Sequence, residues 1–383
     1  MKALFITRHY LDEMLGGPNC SKAFLRALAD IYPDLTVIYP EHNDRKTDLS
    51  FMRGNSTVTL VPVDDNRSKL HKCWDMYWGR IHRFMPFVEI YLKGRKFDVI
   101  FIDHSFTAAA GLLQAAVANG AHIVTFHHNV ESQYLKDNKA SILYRLPHDH
   151  FALKAEKAAL NCSYLNLTLT DEDQKTFSAL YPSISQSLRT IGVFEYEDAK
   201  SQELSAAEDL SFVISGSMSA MQTETAMLTF LDEYMPAFNE ECPDAKLIIT
   251  GRNPSKHIYD SAARYNNVSI IPNPQNLVAQ VAKANYYICP IYTGGGLKLR
   301  CLDALRAGLP VLAHKVSARG YEGIAKDGFL FEYSDKQSFK AGLHSLTKLH
   351  NCHKDVLESF ISNFSFEAGK KRLAEILQSA KLL

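Results

Sequence analysis

No uninterrupted apolar run in the 383 residues approaches the roughly 18 that a membrane-crossing helix needs, so no membrane span is expected. The opening MKALFITRHYLDEM offers four apolar residues before Thr7 and Arg8, and reads as carrying no signal peptide. The longest uncharged stretch, 108–126, is broken by Gln114, Asn119, Gly120 and His122, which fits a buried helix followed by a strand. Net charge is also missing: Lys plus Arg and Asp plus Glu both number 42. Phosphate contacts usually leave a nucleic-acid-binding domain basic, so no nucleic-acid partner is expected and any basic site is local. The seven cysteines (Cys20, Cys73, Cys162, Cys242, Cys289, Cys301, Cys352) are odd in number and never spaced CxxC. Neither a zinc cage nor a disulfide framework is indicated, and reduced cytoplasmic thiols are expected. Internal repeats and low-complexity tracts are absent as well.

What is present is length and alternation. At about 150 residues per domain the chain predicts two domains. Strand-like runs recur between helical stretches at 4–7, 35–39, 57–63, 97–103, 122–126 and 164–169. Their apolar residues are nearly consecutive, as parallel strands covered on both faces require. The acidic segment 195–209, EYEDAKSQELSAAED, carries no strand pattern. It reads as a linker between a first α/β domain over 1–194 and a second over 210–364. The second series runs LSFVISGS, AKLIITG, VSIIPN, YYICPI, PVLAH and GFLFEY, with helices near 223–235, 275–284 and 298–307. The amphipathic tail 365–383 is expected to form a helix that packs back on the first domain.

The densest chemical signal is GGGLKLRCLDALRAGLPV, residues 294–311. A triple glycine between a strand and a helix lets backbone N–H groups approach an anion at the helix's positive end. Lys298 and Arg300 fall in the first turn, where they oppose the helix dipole; a bound diphosphate would neutralise them. The bland alternative is a glycine turn with two solvated cations. Asp303, three residues past Arg300 on the same side, could accept both hydroxyls of a ribose.

At these residues the chain resembles the GT-B glycosyltransferases, closest to family 4 (group 1) of the retaining enzymes, in the branch with a GGG-x-[RK]-x-K-x-x-EA-x-x-x-G-x-PV signature. Arg300 stands for the second lysine and Asp303 for the usual glutamate. The motifs ISGSM around Gly216, LIITGR ending at Arg252, and RGYEG (319–323) extend the likeness across the second domain. The resemblance implies two Rossmann-like domains facing a cleft. It also implies a nucleotide-diphosphate sugar donor, retention at the anomeric carbon, and no metal or other cofactor. It places Gly216 and Arg252 on the donor, Lys298 and Arg300 on the diphosphate, Asp303 on the ribose and the 271–274 turn on the base. Where many members carry a sugar-binding glutamate, eight residues before Asp303, this chain has Gly295. The backbone amides of Gly295 and Gly296 are then left to meet the sugar, and inversion stays open. An epimerase or phosphorylase of the same fold, or an inactive nucleotide-sugar-binding subunit, are the alternatives.

In the first domain, Gly16, Gly17 and Pro18 precede a helical run and resemble the family's acceptor or phosphate loop; a tight turn with Pro at the helix start is the plain alternative. His127, His128 and Asn129 follow a strand, where open α/β sheets present their ligand crevice. His128 and Asn129 are the catalytic candidates, with Asp103 and His104 behind them. The triplet Asp171-Glu172-Asp173 reads as a capped helix start rather than a metal site, and His148-Asp149-His150 lacks a third ligand. No metal is assigned. Residues 67–96 carry eight Lys or Arg against two acids, with both Trp74 and Trp78 among them. That pattern suits either an anionic membrane surface or a solvated helix face. The expected acceptor is a glycan or lipid-linked saccharide at the inner membrane face, in cell-surface polysaccharide synthesis.

Overall fold

The computed structural model describes residues 1–52, 57–64, 68, 70–71, 74, 85–107, 110–134, 142–197, 209–294 and 297–383. The chain divides into two compact units, Met1–Asp198 with Phe364–Leu383, and Ala199–Asn363. The first unit holds strands β1 (Lys2–Thr7), β2 (Asp34–Pro40), β3 (Thr59–Val63), β4 (Val99–Asp103), β5 (His122–His127), β6 (Leu165–Thr168) and β7 (Leu188–Thr190). They form one sheet in the order β3-β2-β1-β4-β5-β6-β7, every pair parallel. The second unit holds β8 (Ser211–Ser217), β9 (Lys246–Arg252), β10 (Val268–Pro272), β11 (Tyr286–Cys289), β12 (Val311–His314) and β13 (Leu330–Tyr333). Their order is β10-β9-β8-β11-β12-β13, again all parallel.

Runs such as VIFID in β4 are buried at every residue because helices cover both sheet faces. In each unit the strand order reverses once, between β1 and β4 and between β8 and β11. Crevices at the carboxyl ends of strands open at such switch points.

Three local differences from the sequence reading have physical causes. β7 has three residues, too few to show a period. Gly16 and Gly17 do not form a loop: they open helix α1 (Gly16–Ile31), with Pro18 in its first turn. The first four helical N–H groups need no intrahelical acceptor, so glycine and proline fit there at little cost. The helix read near 223–235 is split into α2 (Met221–Thr229), a five-residue π turn at Phe230–Tyr234 and α3 (Met235–Glu241). Pro236 has no N–H for the carbonyl of Asp232, which explains the widened turn.

The C-terminal helix Phe366–Ser379 belongs to the first unit. The Tyr32 hydroxyl donates to the Leu382 carbonyl at 2.6 Å, Arg26 stacks on Phe366 at 3.8 Å and Arg372 donates to the Ile191 carbonyl. A Cβ on Gly369 would lie 1.9 Å from the Phe194 ring, so glycine sets how closely this helix approaches.

Candidate functional site

In the first unit the register of β1 against β4 pairs Thr7 with Asp103 at their carboxyl ends. The Thr7 hydroxyl donates to Asp103 Oδ2 at 2.6 Å, and the Ser21 hydroxyl reaches the same oxygen from α1 at 2.6 Å. His128, just past β5, places Nε2 2.7 Å from Asp103 Oδ1, and His9 Nδ1 lies 2.7 Å from Ser21 Oγ and 3.5 Å from Asp103 Oδ2. One buried carboxylate therefore holds two imidazoles. Burial pushes the Asp103 carboxyl up, but His128 and His9 together outweigh it and hold it well below its usual range. Burial lowers His9, and burial with Arg8 and His128 lowers His104 far more. At neutral pH Asp103 is an ionised carboxylate, and His9 and His104 are neutral imidazoles.

His9 Nε2 meets no hydrogen-bond partner among the described residues, and the side chain is 14% exposed. With Nδ1 turned to Ser21 and Asp103, this nitrogen is the one able to take a proton. Gly17 makes room for the ring: a Cβ there would stand 3.0 Å from it. His9, Asp103 and His128 present ligand atoms within 4.8 Å of one another and could hold a divalent ion. The carboxylate already accepts two hydroxyls and His128, so Asp103 is satisfied without one.

His127 faces different neighbours. Its Nε2 pairs with Asn166 Oδ1 at 2.9 Å, and burial lowers its pKa to about 4. Asn129 is half-buried and makes no side-chain hydrogen bond among the described residues. His104 Nε2 lies 3.4 Å from Glu131 Oε1. The Thr170 hydroxyl accepts the Asp173 N–H, capping the helix at Asp171–Leu180 as the sequence suggested.

In the second unit Gly216 and Gly251 pair across β8 and β9. Gly251 has φ of +148°, and a Cβ on it would stand 1.7 Å from the Gly216 carbonyl oxygen, so only glycine fits. Gly216 is overlaid by a guanidinium: a Cβ there would fall 2.1 Å from Arg300 Nη1. Arg300 belongs to helix α4 (Leu299–Arg306) and donates to the Thr223 hydroxyl at 3.0 Å and the Ser215 carbonyl at 3.4 Å. Lys298 caps that helix, its ammonium 3.3 Å from where a Gly294 Cβ would be. Its carbonyl accepts from Tyr321, a fully buried side chain that pins the start of α4.

Arg300, Asp303 and Arg306 lie three apart on one face of α4, while Cys301, Leu302, Ala304 and Leu305 enter the core. Asp303 Oδ1 accepts from Arg306 at 2.9 Å, and burial raises the Asp303 carboxyl despite Arg306 and Arg300. Arg252 is exposed at the end of β9. The turn after β10 folds over that end, Asn273 donating its N–H to the Gly251 carbonyl at 2.7 Å. Gly295 and Gly296 lie outside the described residues, as do Trp78 and much of 67–84; Trp74 is 64% exposed.

Gly216, Arg252, Arg300 and the 271–274 turn thus gather at the carboxyl ends of β8, β9 and β10, with Lys298 at the start of α4. His128 gathers with Asp103 at those of β1, β4 and β5. The sequence reading missed His9, Ser21 and Thr223. His9 and Ser21 flank the glycine pair, and only the fold brings them to Asp103.

Residues 210–348 match the family described as glycosyl transferases group 1. No curated protein matches the chain in sequence. Among solved structures it is similar to the apo lipopolysaccharide outer core galactosyltransferase WaaB, at 12% identity, 99% coverage of both chains and a TM-score of 0.66. Anabaena HepE with UDP and glucose is 13% identical, with 99% of this chain and 100% of that one covered and a TM-score of 0.61. A mutant of S. aureus TarM in complex with fondaparinux, alpha-GlcNAc-glycerol and UDP is 11% identical, with 98% and 99% covered and a TM-score of 0.63. The architecture is the GT-B fold.

Proposed function

We propose that this chain, a GT-B glycosyltransferase, takes a sugar from a nucleotide-diphosphate donor held on its second unit and passes it to an acceptor hydroxyl met by its first. The carrying observation is Arg300, fixed over Gly216 by Thr223 and Ser215 at the switch point of the second sheet, with Lys298 beside it at a helix start. Charge develops on the leaving diphosphate as the anomeric carbon–oxygen bond breaks. Two fixed cations and helix N–H groups stabilise it where it forms. Asp303 accepts the ribose hydroxyls, the 271–274 turn walls the base, and the Gly295 and Gly296 amides meet the sugar. The similar chains in complex with UDP support a nucleoside diphosphate as the leaving group. No divalent ion is needed in this scheme.

The family resemblance supports retention, in which the departing diphosphate takes the acceptor's proton. His9 favours a second reading: with Nδ1 turned to Asp103 and Nε2 without a partner, it would take that proton itself, and the acceptor oxygen would bond to the face opposite the leaving group. Both readings assign His128 and Asn129 to the reacting sugar. The anomeric configuration of the product by NMR separates the two.

The acceptor is a glycan or lipid-linked saccharide, in cell-surface polysaccharide synthesis on the cytoplasmic side. Residues 67–96 are the membrane-facing segment, supported by their excess of basic residues and exposed Trp74. The Trp74→Ser, Trp78→Ser double mutant should sediment less with anionic liposomes than the parent, and high salt should release both. Equal recovery in every supernatant refutes membrane attachment. For the donor, a thermal-shift screen against UDP, GDP, ADP and their sugars should single out one base, with the shift reduced in Arg300→Ala. A panel without any shift refutes the donor site.

A further inference from the structure

The second unit contains a cavity of about 290 Å³ that none of the donor candidates line. Its walls come from α2 and the π turn that continues it on one side, and from Tyr292, His314 and Tyr333 on the other. The turn widened ahead of Pro236 carries Glu233 and Tyr234 to this surface. π turns inside α-helices often mark binding sites.

Most of the cavity's polar groups are unspent. Tyr333 is 2% exposed as a residue, yet its hydroxyl has no hydrogen-bond partner among the described residues, and it is not among the polar atoms sealed from solvent. It opens on the cavity. Among the described residues the Tyr234 hydroxyl and the Glu233 carboxylate also lack hydrogen-bond partners. His314 Nδ1 accepts the Val316 N–H at 3.2 Å, which puts the ring proton of the neutral side chain on Nε2, likewise without a partner. The Tyr292 hydroxyl lies 3.2 Å from Thr229 Oγ1. Around these tips stand aromatic rings, Tyr333 edge-on both to His314 at 5.4 Å and to Tyr234 at 5.3 Å.

The chemistry narrows the occupant. A purely apolar guest would strand the buried Tyr333 hydroxyl without a partner, a cost proteins avoid. An anion would meet the Glu233 carboxylate. A cation would find that carboxylate, exposed at the rim, and the ring faces, but it gains nothing from the His314 donor and leaves the tyrosine O–H groups without an acceptor. A neutral polyol ring satisfies all of them: its hydroxyls exchange hydrogen bonds with tyrosines, imidazole and carboxylate while its C–H faces lie on the rings. The volume suits one pyranose and not a nucleotide sugar.

We propose that this cavity is a second carbohydrate site that binds a single uncharged sugar ring, separate from the diphosphate-binding helix α4. Its ligand is either a free monosaccharide or a terminal residue of a glycan. Tyr292, one residue before Thr293, ties its wall to the loop that leads to Lys298.

Saturation-transfer NMR on the full chain tests the site. The probes are glucose, galactose, mannose and N-acetylglucosamine, their α-methyl glycosides as stand-ins for a glycan end, and tetramethylammonium and inorganic phosphate as charged controls. At least one sugar should bind saturably, persist with excess UDP and GDP, and persist in Arg300→Ala. Tyr333→Phe and Glu233→Gln should each weaken it about tenfold while leaving nucleotide-induced thermal shifts unchanged. A preference for the glycosides assigns the glycan end, and a preference for the free sugars the monosaccharide. Glu233 sits on the surface, so its variant reads out even if the Tyr333 variant fails to fold. Transfer to no sugar, displacement by nucleotide, binding of the charged probes instead, or affinity unchanged in Glu233→Gln overturns the proposal.

Discussion

Arg300 shows how a single side chain serves two ends. Its contacts to Thr223 and Ser215 fix the guanidinium over Gly216, and its remaining N–H groups meet no acceptor among the described residues, leaving them for the proposed phosphate oxygens. Arg300→Ala should therefore weaken a nucleoside diphosphate by about 1.5–3 kcal/mol and leave the nucleoside nearly unchanged, as calorimetry can measure. Equal losses for both would place the phosphates elsewhere. Gly251→Ala acts on stability instead. Its methyl has no space beside the Gly216 carbonyl, and β8 and β9 must part, so the second unit should lose at least about 3 kcal/mol in denaturant unfolding. In the first unit Asp103 is the shared support of two imidazoles. Asp103→Asn should cut turnover far more than donor affinity, and His9→Ala compared with His128→Ala separates a proton acceptor from a sugar contact. A wild-type rate in all three variants would remove this cluster from the reaction.

Among the elements, the long helix Ile142–Cys162 carries a buried acid into the first unit's core. Glu156 Oε2 accepts the Glu131 N–H at 2.6 Å, and burial raises its carboxyl to about 8 while burial raises Glu131 to about 7. Both folded values exceed the ordinary 4.5, so the folded state holds these protons more tightly than the unfolded chain. Stability from them is full below 4.5 and is lost as pH rises through about 7 to 8. The first unit should be less stable at pH 9 than at pH 5.5 by on the order of 2–4 kcal/mol in denaturant unfolding, and Glu156→Gln should flatten most of that slope. A slope unchanged in Glu156→Gln would assign it to other groups. The α4 helix shows the complementary case: its amphipathic spacing is plain in LRCLDALR, yet what makes its polar face the proposed site is the Gly216 surface that β8 supplies.

Over the whole molecule, the first unit is closed by residues that follow the second in sequence. Tyr32, Arg26 and Phe194 all lean on the helix Phe366–Ser379 or the residues after it. Removing 365–383 should lower the melting temperature of the first unit while leaving that of the second, followed by calorimetry, in place. Unchanged melting of both would show the helix to be dispensable.

The alternation of nearly continuous apolar strands with amphipathic helices was enough to read two parallel α/β sheets from the chain, because burial on both faces leaves no other composition for such strands. The glycines, cations and aspartate of 294–303 stood out as a proposed anion site for a related reason: backbone approach to an anion and charge against a helix dipole are local requirements. What tertiary structure alone decided is which distant residues share a point. His9 and Asp103 are ninety-four positions apart and meet because β1 and β4 pair in register at the switch point. Arg300 finds Thr223 and Gly216 because β8 and β11 are neighbours. The cavity of Tyr333, His314 and Glu233 has no signature in the chain at all, since its walls come from four separate elements and its polar groups gain meaning only by being left unpaired together.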